Sequence, residues 1–382
     1  MKKQIRFFDD IEKLRGLACI LVLLQHLIWI CPYYFVINLI PSWLSVGSGA
    51  VHIFFAISGF VVTYSLSSEL VNLNGNFLEK LKNSRDWISK FYTKRFFRIF
   101  PVVLVVTIIC GIYLQITDAK TDWQLALVRS PIEILVGTFN NSVETFVSKN
   151  VIYTSGMGPF WTLAVESQFY VLWPLVLILC KNDNQRSMVS LSLGLMFSLF
   201  VTPLSSIYLG DHYYWTSNNV AELFLGSFLA YLYKSNFKIN LSKMQSNFFS
   251  LFLAFIIWFY PSALKEGGKI FYGNIVETVT STLLVMMCVF SKGSFSFPGF
   301  DKLFTYLGQR SFSFYSVQLV LASIVMWFTN SVYFPKDNLS RDEFFIYQFL
   351  IFVGILLAST ELLYRFIERP SRKLGKKSFG QV

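Results

Sequence analysis

Ten apolar stretches dominate this 382-residue chain, at about 16–32, 49–68, 97–116, 160–180, 188–208, 217–234, 247–264, 271–290, 309–329 and 346–367. Each is long enough to cross the hydrocarbon core of a bilayer as a helix. Hydrophobic residues make up 54% of the sequence and charged residues only 14%, a balance that excludes a soluble globular domain. The sequence therefore predicts an all-α, polytopic membrane protein with about ten transmembrane helices. The longest connections are about 69–96 and 117–159, and none suggests a separate soluble domain. One membrane-embedded domain over 1–382 is expected, with its core at about 10–370 and a short basic tail at 371–382.

A net charge of +11 would suit a nucleic-acid binder if the cations formed one patch, but they do not. Of the 33 lysines and arginines, 26 fall on one set of alternate connections and 7 on the other. The positive-inside rule places the richer side, with both termini, in the cytoplasm, and no nucleic-acid partner is expected. The basic start MKKQIRFFDDIEKLRG leads into an apolar run with no small-x-small cleavage site, so it reads as the first transmembrane helix rather than a signal peptide. Cys19, Cys31, Cys110, Cys180 and Cys288 lie in or beside apolar segments and read as small apolar residues. Trp29, Trp43, Trp123, Trp161, Trp215 and Trp327 mark predicted interfaces, and most read as belt anchors.

Within the first stretch, KLRGLACILVLLQHLIWI, Arg15 stands at the mouth and His26 deep inside. Eleven residues of helix turn through about 1100°, so the two side chains share a face and stand about 16 Å apart along the axis. Ionisable groups in a membrane segment are costly and face a bundle interior or a wet cavity. A cation at the rim and an imidazole in the depth suggest a site that holds an anionic carrier and acts on its far end. His26 has general-base chemistry available near working pH. The alternative is a histidine bonding a backbone carbonyl between helices.

The other intramembrane ionisable residues, His52, Glu166, Glu222 and Glu277, fall in the middle or outer half on this topology, with Arg15, Arg95, Arg98 and Arg310 at the inner rim. Arginine suits phosphate because its planar fork donates two parallel hydrogen bonds. In GPFWTLAVESQFYVLWP, Pro159 opens a helix, Glu166 sits in its second turn, and Tyr170 follows on the same face at i+4. Glu166 either orients a histidine, accepts a sugar hydroxyl, or simply favours the start of its helix. Arg95 and Arg98 in FYTKRFFRIFP also fit the inner flank of the third helix, and Ser58 and Gly59 in VHIFFAISGF fit helix packing by small residues. His52 is a second titrating group, and His212 falls in an outer loop. Nothing around Glu222 or Glu277 singles them out. Three scattered histidines without HExxH supply no ligand set, so no metal site is expected.

Five blocks, in order, resemble acyltransferase family 3, membrane proteins that include bacterial O-antigen and exopolysaccharide O-acetyltransferases. They are LRGLACILVLLQH (14–26), GAVHIFFAISGF (49–60), KRFFRIFP (94–101), FWTLAVESQFYVLWP (160–174) and YRFIERP (364–370). The resemblance implies a ten-helix bundle that moves an acyl group, usually acetyl, from cytoplasmic acyl-CoA to a sugar hydroxyl. It implies that Arg15 holds the CoA phosphates, that His26 is catalytic, that Arg95 and Arg98 help bind the donor, and that Glu166 assists at the acceptor. His52, Ser58, Trp161 and Tyr170 would support the substrate. An extended pantetheine arm is of the right order to bridge Arg15 and His26. Many members have an acidic residue where His52 stands, and many end a ninth-helix motif in histidine where SFSFYSVQ (311–318) has Gln318. Some relatives append a periplasmic SGNH-hydrolase-like domain, and none is expected here.

The expected function is membrane O-acyltransfer, with acetyl-CoA as donor and no permanently bound cofactor. The expected acceptor is a glycan or lipid-linked sugar such as O-antigen, capsule or exopolysaccharide. The expected setting is the bacterial cytoplasmic (inner) membrane, with the bilayer and glycan-assembly proteins as partners. The competing class is a transporter or flippase, in which the intramembrane polar groups line a substrate path. Paired broken helices in two halves would favour it, and no such symmetry is visible.

Overall fold

The structure, a computed structural model, describes residues 2–30, 48–70, 75–117, 123–142, 156–209, 214–265, 270–291, 293–297, 299–331 and 341–377. The side chains of Trp29 and Trp123, together with Cys31, Trp43 and His212, lie outside the described residues. The helices are α1 (Lys2–Ile30), α2 (Ser48–Ser67), α3 (Phe77–Ile116), α4 (Trp123–Val136), α5 (Trp161–Leu179), α6 (Asp183–Met196), α7 (Thr202–Leu209) and α8 (Ala221–Lys234). They continue with α9 (Lys243–Lys265), α10 (Ile270–Phe290), α11 (Asp301–Gln309), α12 (Ser311–Ser331), α13 (Arg341–Leu363) and α14 (Arg369–Lys377). No strand occurs among the described residues. Among the described residues, six helical segments are long and apolar enough to cross a membrane: Gly49–Ser67, Phe77–Ile116, Gly158–Leu179, Asp183–Ser205, Ser311–Thr329 and Ile346–Lys377. The protein is thus an all-α membrane protein, and each of the ten apolar stretches overlaps a helix among the described residues.

Three expectations need correction. The segment 69–96 is not a plain connection, because α3 starts at Phe77 and runs for 40 residues, about 60 Å. Its polar first half buries Lys80, Ser84, Trp87 and Phe91, spaced as one helical stripe. That amphipathic stripe lacks the continuous apolarity by which the spans were found. The stretch 217–234 folds as the 14-residue α8, preceded by a short 3-10 turn, Thr216–Asn218. At about 21 Å it is shorter than a bilayer core. Trp161, which the interface pattern includes and the substrate reading also names, is only 5% exposed, so it does not face outward as a belt anchor would.

The chain divides into two compact units, the first comprising Met1–Val22, Val46–Ser89 and Gln168–Gln309. Its centre is the crossing of α2 and α8, where backbones meet through small residues. A Cβ added at Gly59 would overlap the Leu223 carbonyl oxygen, and one at Gly226 would overlap that of Ala56. Close backbone approach of this kind is how helices associate where burial of apolar surface offers no extra drive. Beside the crossing, Trp173 Nε1 donates to Thr63 Oγ1 at 2.7 Å, and Thr63 donates to Ser227 Oγ at 2.8 Å. Phe169 stacks on Trp173, and Phe224 meets it edge-on. Replacing Gly226 with valine is expected to abolish accumulation of folded protein, because neither backbone can retreat. Detergent-extracted yield and a size-exclusion profile check this, and a monodisperse Gly226→Val preparation would refute it.

Two buried cations and a half-buried one finish the helix ends of the same unit. Arg186 Nε donates to the Leu177 carbonyl at 3.1 Å, Lys80 Nζ to that of Cys180 at 3.3 Å, and Lys234 Nζ to that of Ser67 at 3.3 Å. These carbonyls lie in the last turns of α5 and α2 or just beyond, where helix ends leave acceptors unsatisfied. The start of α1 is anchored similarly. Lys13 bridges Asp9 (3.0 Å) and Asp10 (3.5 Å), while Asp10 also accepts from the Gly293 N–H. Burial lifts the Asp10 carboxyl above its ordinary range, and Lys13 beside it pulls the other way.

The second unit comprises Leu23–Ser45, Lys90–Ser167 and Arg310–Val382. Within it α12 and α13 are tied at both ends. Gln348 Nε2 donates to Thr329 Oγ1 at 2.6 Å, and at the other end Arg310 pairs with Glu361 while Ser313 Oγ donates to Glu368 Oε2 at 2.6 Å. Arg310 also lies 4.6 Å over the Tyr364 ring. Gly156, with φ +72°, brings the strand of chain before α5 against the backbone of Leu319 and Val320. Only glycine meets both the left-handed conformation and that clearance without strain.

Candidate active site

The two units divide the residues that the sequence picks out. Arg15, His52, Ser58 and Tyr170 belong to the first, and His26, Arg95, Arg98, Trp161 and Glu166 to the second. The unbroken helix α1 carries both Arg15 and His26, so their in-phase spacing holds.

His26 is half-buried, but its Nδ1 is fully buried and makes no hydrogen bond among the described residues. A buried imidazole nitrogen without a protein partner is unusual in a folded chain. Arg15 holds a 2.8 Å ion pair with Glu12, one turn earlier on the same helix. Arg95 and Arg98 are both half-buried on α3, Arg95 lying 5.2 Å over the Phe91 ring. Glu166 is half-buried on α5, one turn after Thr162. Thr162 is held by the Pro159 carbonyl at 2.9 Å and by the Tyr315 hydroxyl at 3.1 Å, which fixes the turn that presents Glu166.

His52 has a different environment. Its Nδ1 lies 2.8 Å from Glu222 Oε1 and its Nε2 lies 3.0 Å from Glu277 Oε2. The three side chains are 1%, 0% and 3% exposed, and Thr278 donates a further hydrogen bond to Glu222. However the protons are shared, both ring nitrogens are engaged, so His52 has no lone pair left for base chemistry. The ring nitrogens point apart, so the two carboxylates do not converge on one point. Among the described residues no group of three or more His, Cys, Asp or Glu is arranged to hold a metal ion. His52 is therefore a clamp joining α2, α8 and α10. The sequence did hold a signal for this triad. Each member is a solitary ionisable residue near the start of its helix, and all three helices begin on the same predicted side. Ser58 Oγ and Tyr170 OH, expected beside the substrate, bond each other at 2.8 Å. None of the four described cysteines, Cys19, Cys110, Cys180 and Cys288, forms a disulfide, and all are buried.

Comparison with known proteins identifies the family. The profile of the acyltransferase domain family matches residues 8–363. Peptidoglycan O-acetyltransferase OatA of Listeria monocytogenes is 26% identical over 399 residues, covering 97% of this chain and 56% of its own. O-acetyltransferase OatA of Staphylococcus aureus is 25% identical over 402 residues, covering 98% of this chain and 58% of its own. A further homologue from Staphylococcus aureus strain COL is 25% identical over 400 residues, 98% of this chain and 59% of its own. The chain thus spans less than two thirds of the length of these relatives. No solved structure matches it. The family profile runs through all but the ends of the chain and spans the first four sequence blocks, so the chain belongs to acyltransferase family 3.

Proposed function

We propose that the chain is a membrane O-acetyltransferase that moves an acetyl group from cytoplasmic acetyl-CoA to a hydroxyl of a cell-surface glycan. The observation that carries this reading is the buried, unpartnered Nδ1 of His26 on the helix face that also bears Arg15. The names of relatives, O-acetyltransferase in two cases and peptidoglycan O-acetyltransferase in one of those, support the same chemistry. The reading places about ten helices across the cytoplasmic membrane, with both termini in the cytoplasm. Acetyl-CoA then enters at the arginine-bearing rim, and its thioester reaches His26 about 16 Å deeper, the span of an extended pantetheine arm.

In this mechanism the imidazole accepts the proton of the acceptor hydroxyl as the oxygen attacks the thioester carbonyl. The C–O bond forms, the C–S bond breaks, and the imidazolium returns its proton to the departing thiolate. No net proton is produced. Glu166 assists at the acceptor hydroxyl from the second turn of α5. A water-poor interior limits hydrolysis of the thioester and strengthens polar contacts to the developing oxyanion.

Arg15 exchanges its Glu12 partner for a CoA phosphate on this reading. Arg15→Gln is expected to raise the KM for acetyl-CoA by about 10- to 100-fold, the worth of a charge-assisted hydrogen bond, with a smaller change in kcat. Initial rates at varied acetyl-CoA in proteoliposomes test this. An unchanged KM for acetyl-CoA would remove Arg15 from the donor site.

A further inference from the structure

Gln318 lies on α12, three residues after Tyr315, and is 1% exposed. Its Oε1 and Nε2 are both buried, and neither makes a hydrogen bond among the described residues. Buried polar groups are nearly all satisfied in folded proteins, and a carboxamide unsatisfied at both ends points to a partner outside the chain. The surrounding turn is fixed. The Tyr315 hydroxyl donates to the Pro159 carbonyl at 3.0 Å, and the Gly156 backbone presses on Leu319 and Val320. Gln318 therefore belongs to the same pinned junction as the first turns of α5, the helix that bears Glu166.

Depth and chemistry together identify the partner. Gln318 comes eight residues after the rim arginine Arg310, about 12 Å along the helix, and its side chain leans back toward the rim. In an extended acyl-CoA arm, counted at ordinary bond lengths, the β-alanine segment lies about 8–11 Å from the phosphates. That segment presents an amide N–H and an amide C=O separated by two methylenes. A planar carboxamide bridges such a pair, Oε1 accepting from the N–H and Nε2 donating to the carbonyl. We infer that Gln318 binds the β-alanine segment of the donor's pantetheine arm and so sets the register of the thioester. This inference rests on acyl-CoA being the donor.

Gln318→Leu tests it in proteoliposomes. The variant replaces an unsatisfied amide with an apolar side chain of similar size, so its melting temperature should not fall. Its KM for acetyl-CoA should rise about 10-fold, the worth of one or two hydrogen bonds, while the KM for acceptor stays put. Wild type should prefer S-acetylpantetheine to S-acetyl-N-acetylcysteamine, which lacks the β-alanine N–H, and Gln318→Leu should lose that preference. The probe preference of wild type needs no variant, and Gln318→Met serves if the leucine variant fails to fold. An unchanged donor KM with the preference intact would overturn the inference and leave the donor reading standing. A rise in acceptor KM alone would move Gln318 to the acceptor. A wild-type enzyme that cannot use acetyl-CoA at all would overturn both.

Discussion

His26→Ala is expected to lower acetyl transfer by about 10²- to 10⁴-fold, the usual worth of a positioned general base. The variant should insert and fold normally, because Nδ1 of His26 bonds to none of the described residues. The loss should fall on kcat, with the KM for acetyl-CoA little changed, since on the proposed reading the phosphates bind about 16 Å away at the rim. Steady-state kinetics beside a thermal melt in the same detergent separate chemistry from folding. Transfer at the wild-type rate would remove His26 from the mechanism. An equal loss of rate and of melting temperature would make it a structural residue.

Glu222→Ala is expected to cost about 3–5 kcal/mol of stability, the usual result of removing one partner from a buried charged pair. His52 then keeps only Glu277 in an interior where all three side chains are sealed from solvent. Replacing His52, Glu222 and Glu277 together by leucine should restore much of the loss, because no charge is left uncompensated. The melting temperatures of the single and triple variants decide the matter. A Glu222→Ala protein that melts with wild type would show that the triad is not a clamp. The contrast with His26 is the main functional lesson of the two intramembrane histidines. The one with carboxylates on both nitrogens holds helices together, and the one with an unpartnered buried nitrogen is the proposed general base.

Much of this was legible in the sequence because membrane helices announce themselves by length and apolarity. All ten stretches overlap a helix among the described residues, and the small-residue reading of Gly59 anticipated the α2–α8 crossing. Legibility failed where the signal is amphipathic or tertiary. The first half of α3 reads as a polar connection because its buried stripe of Lys80, Ser84, Trp87 and Phe91 includes a lysine and a serine. Trp161 reads as an interface anchor because composition reports that tryptophans favour interfaces, not which of them face inward. The pairing of His52 with Glu222 spans 170 positions of sequence, and no periodicity carries such a contact. Gln318 stands out in the sequence only as a glutamine where many family members have histidine. Its burial without a partner on either amide atom is a property of packing alone.

The most direct measurement of the central claim uses inverted membrane vesicles, whose cytoplasmic face is outward, supplied with radiolabelled acetyl-CoA. The account predicts that label enters the surface glycan or its lipid-linked precursor as an ester released by mild alkali, and that vesicles carrying His26→Ala incorporate none above background. Equal incorporation by wild-type and His26→Ala vesicles would contradict it.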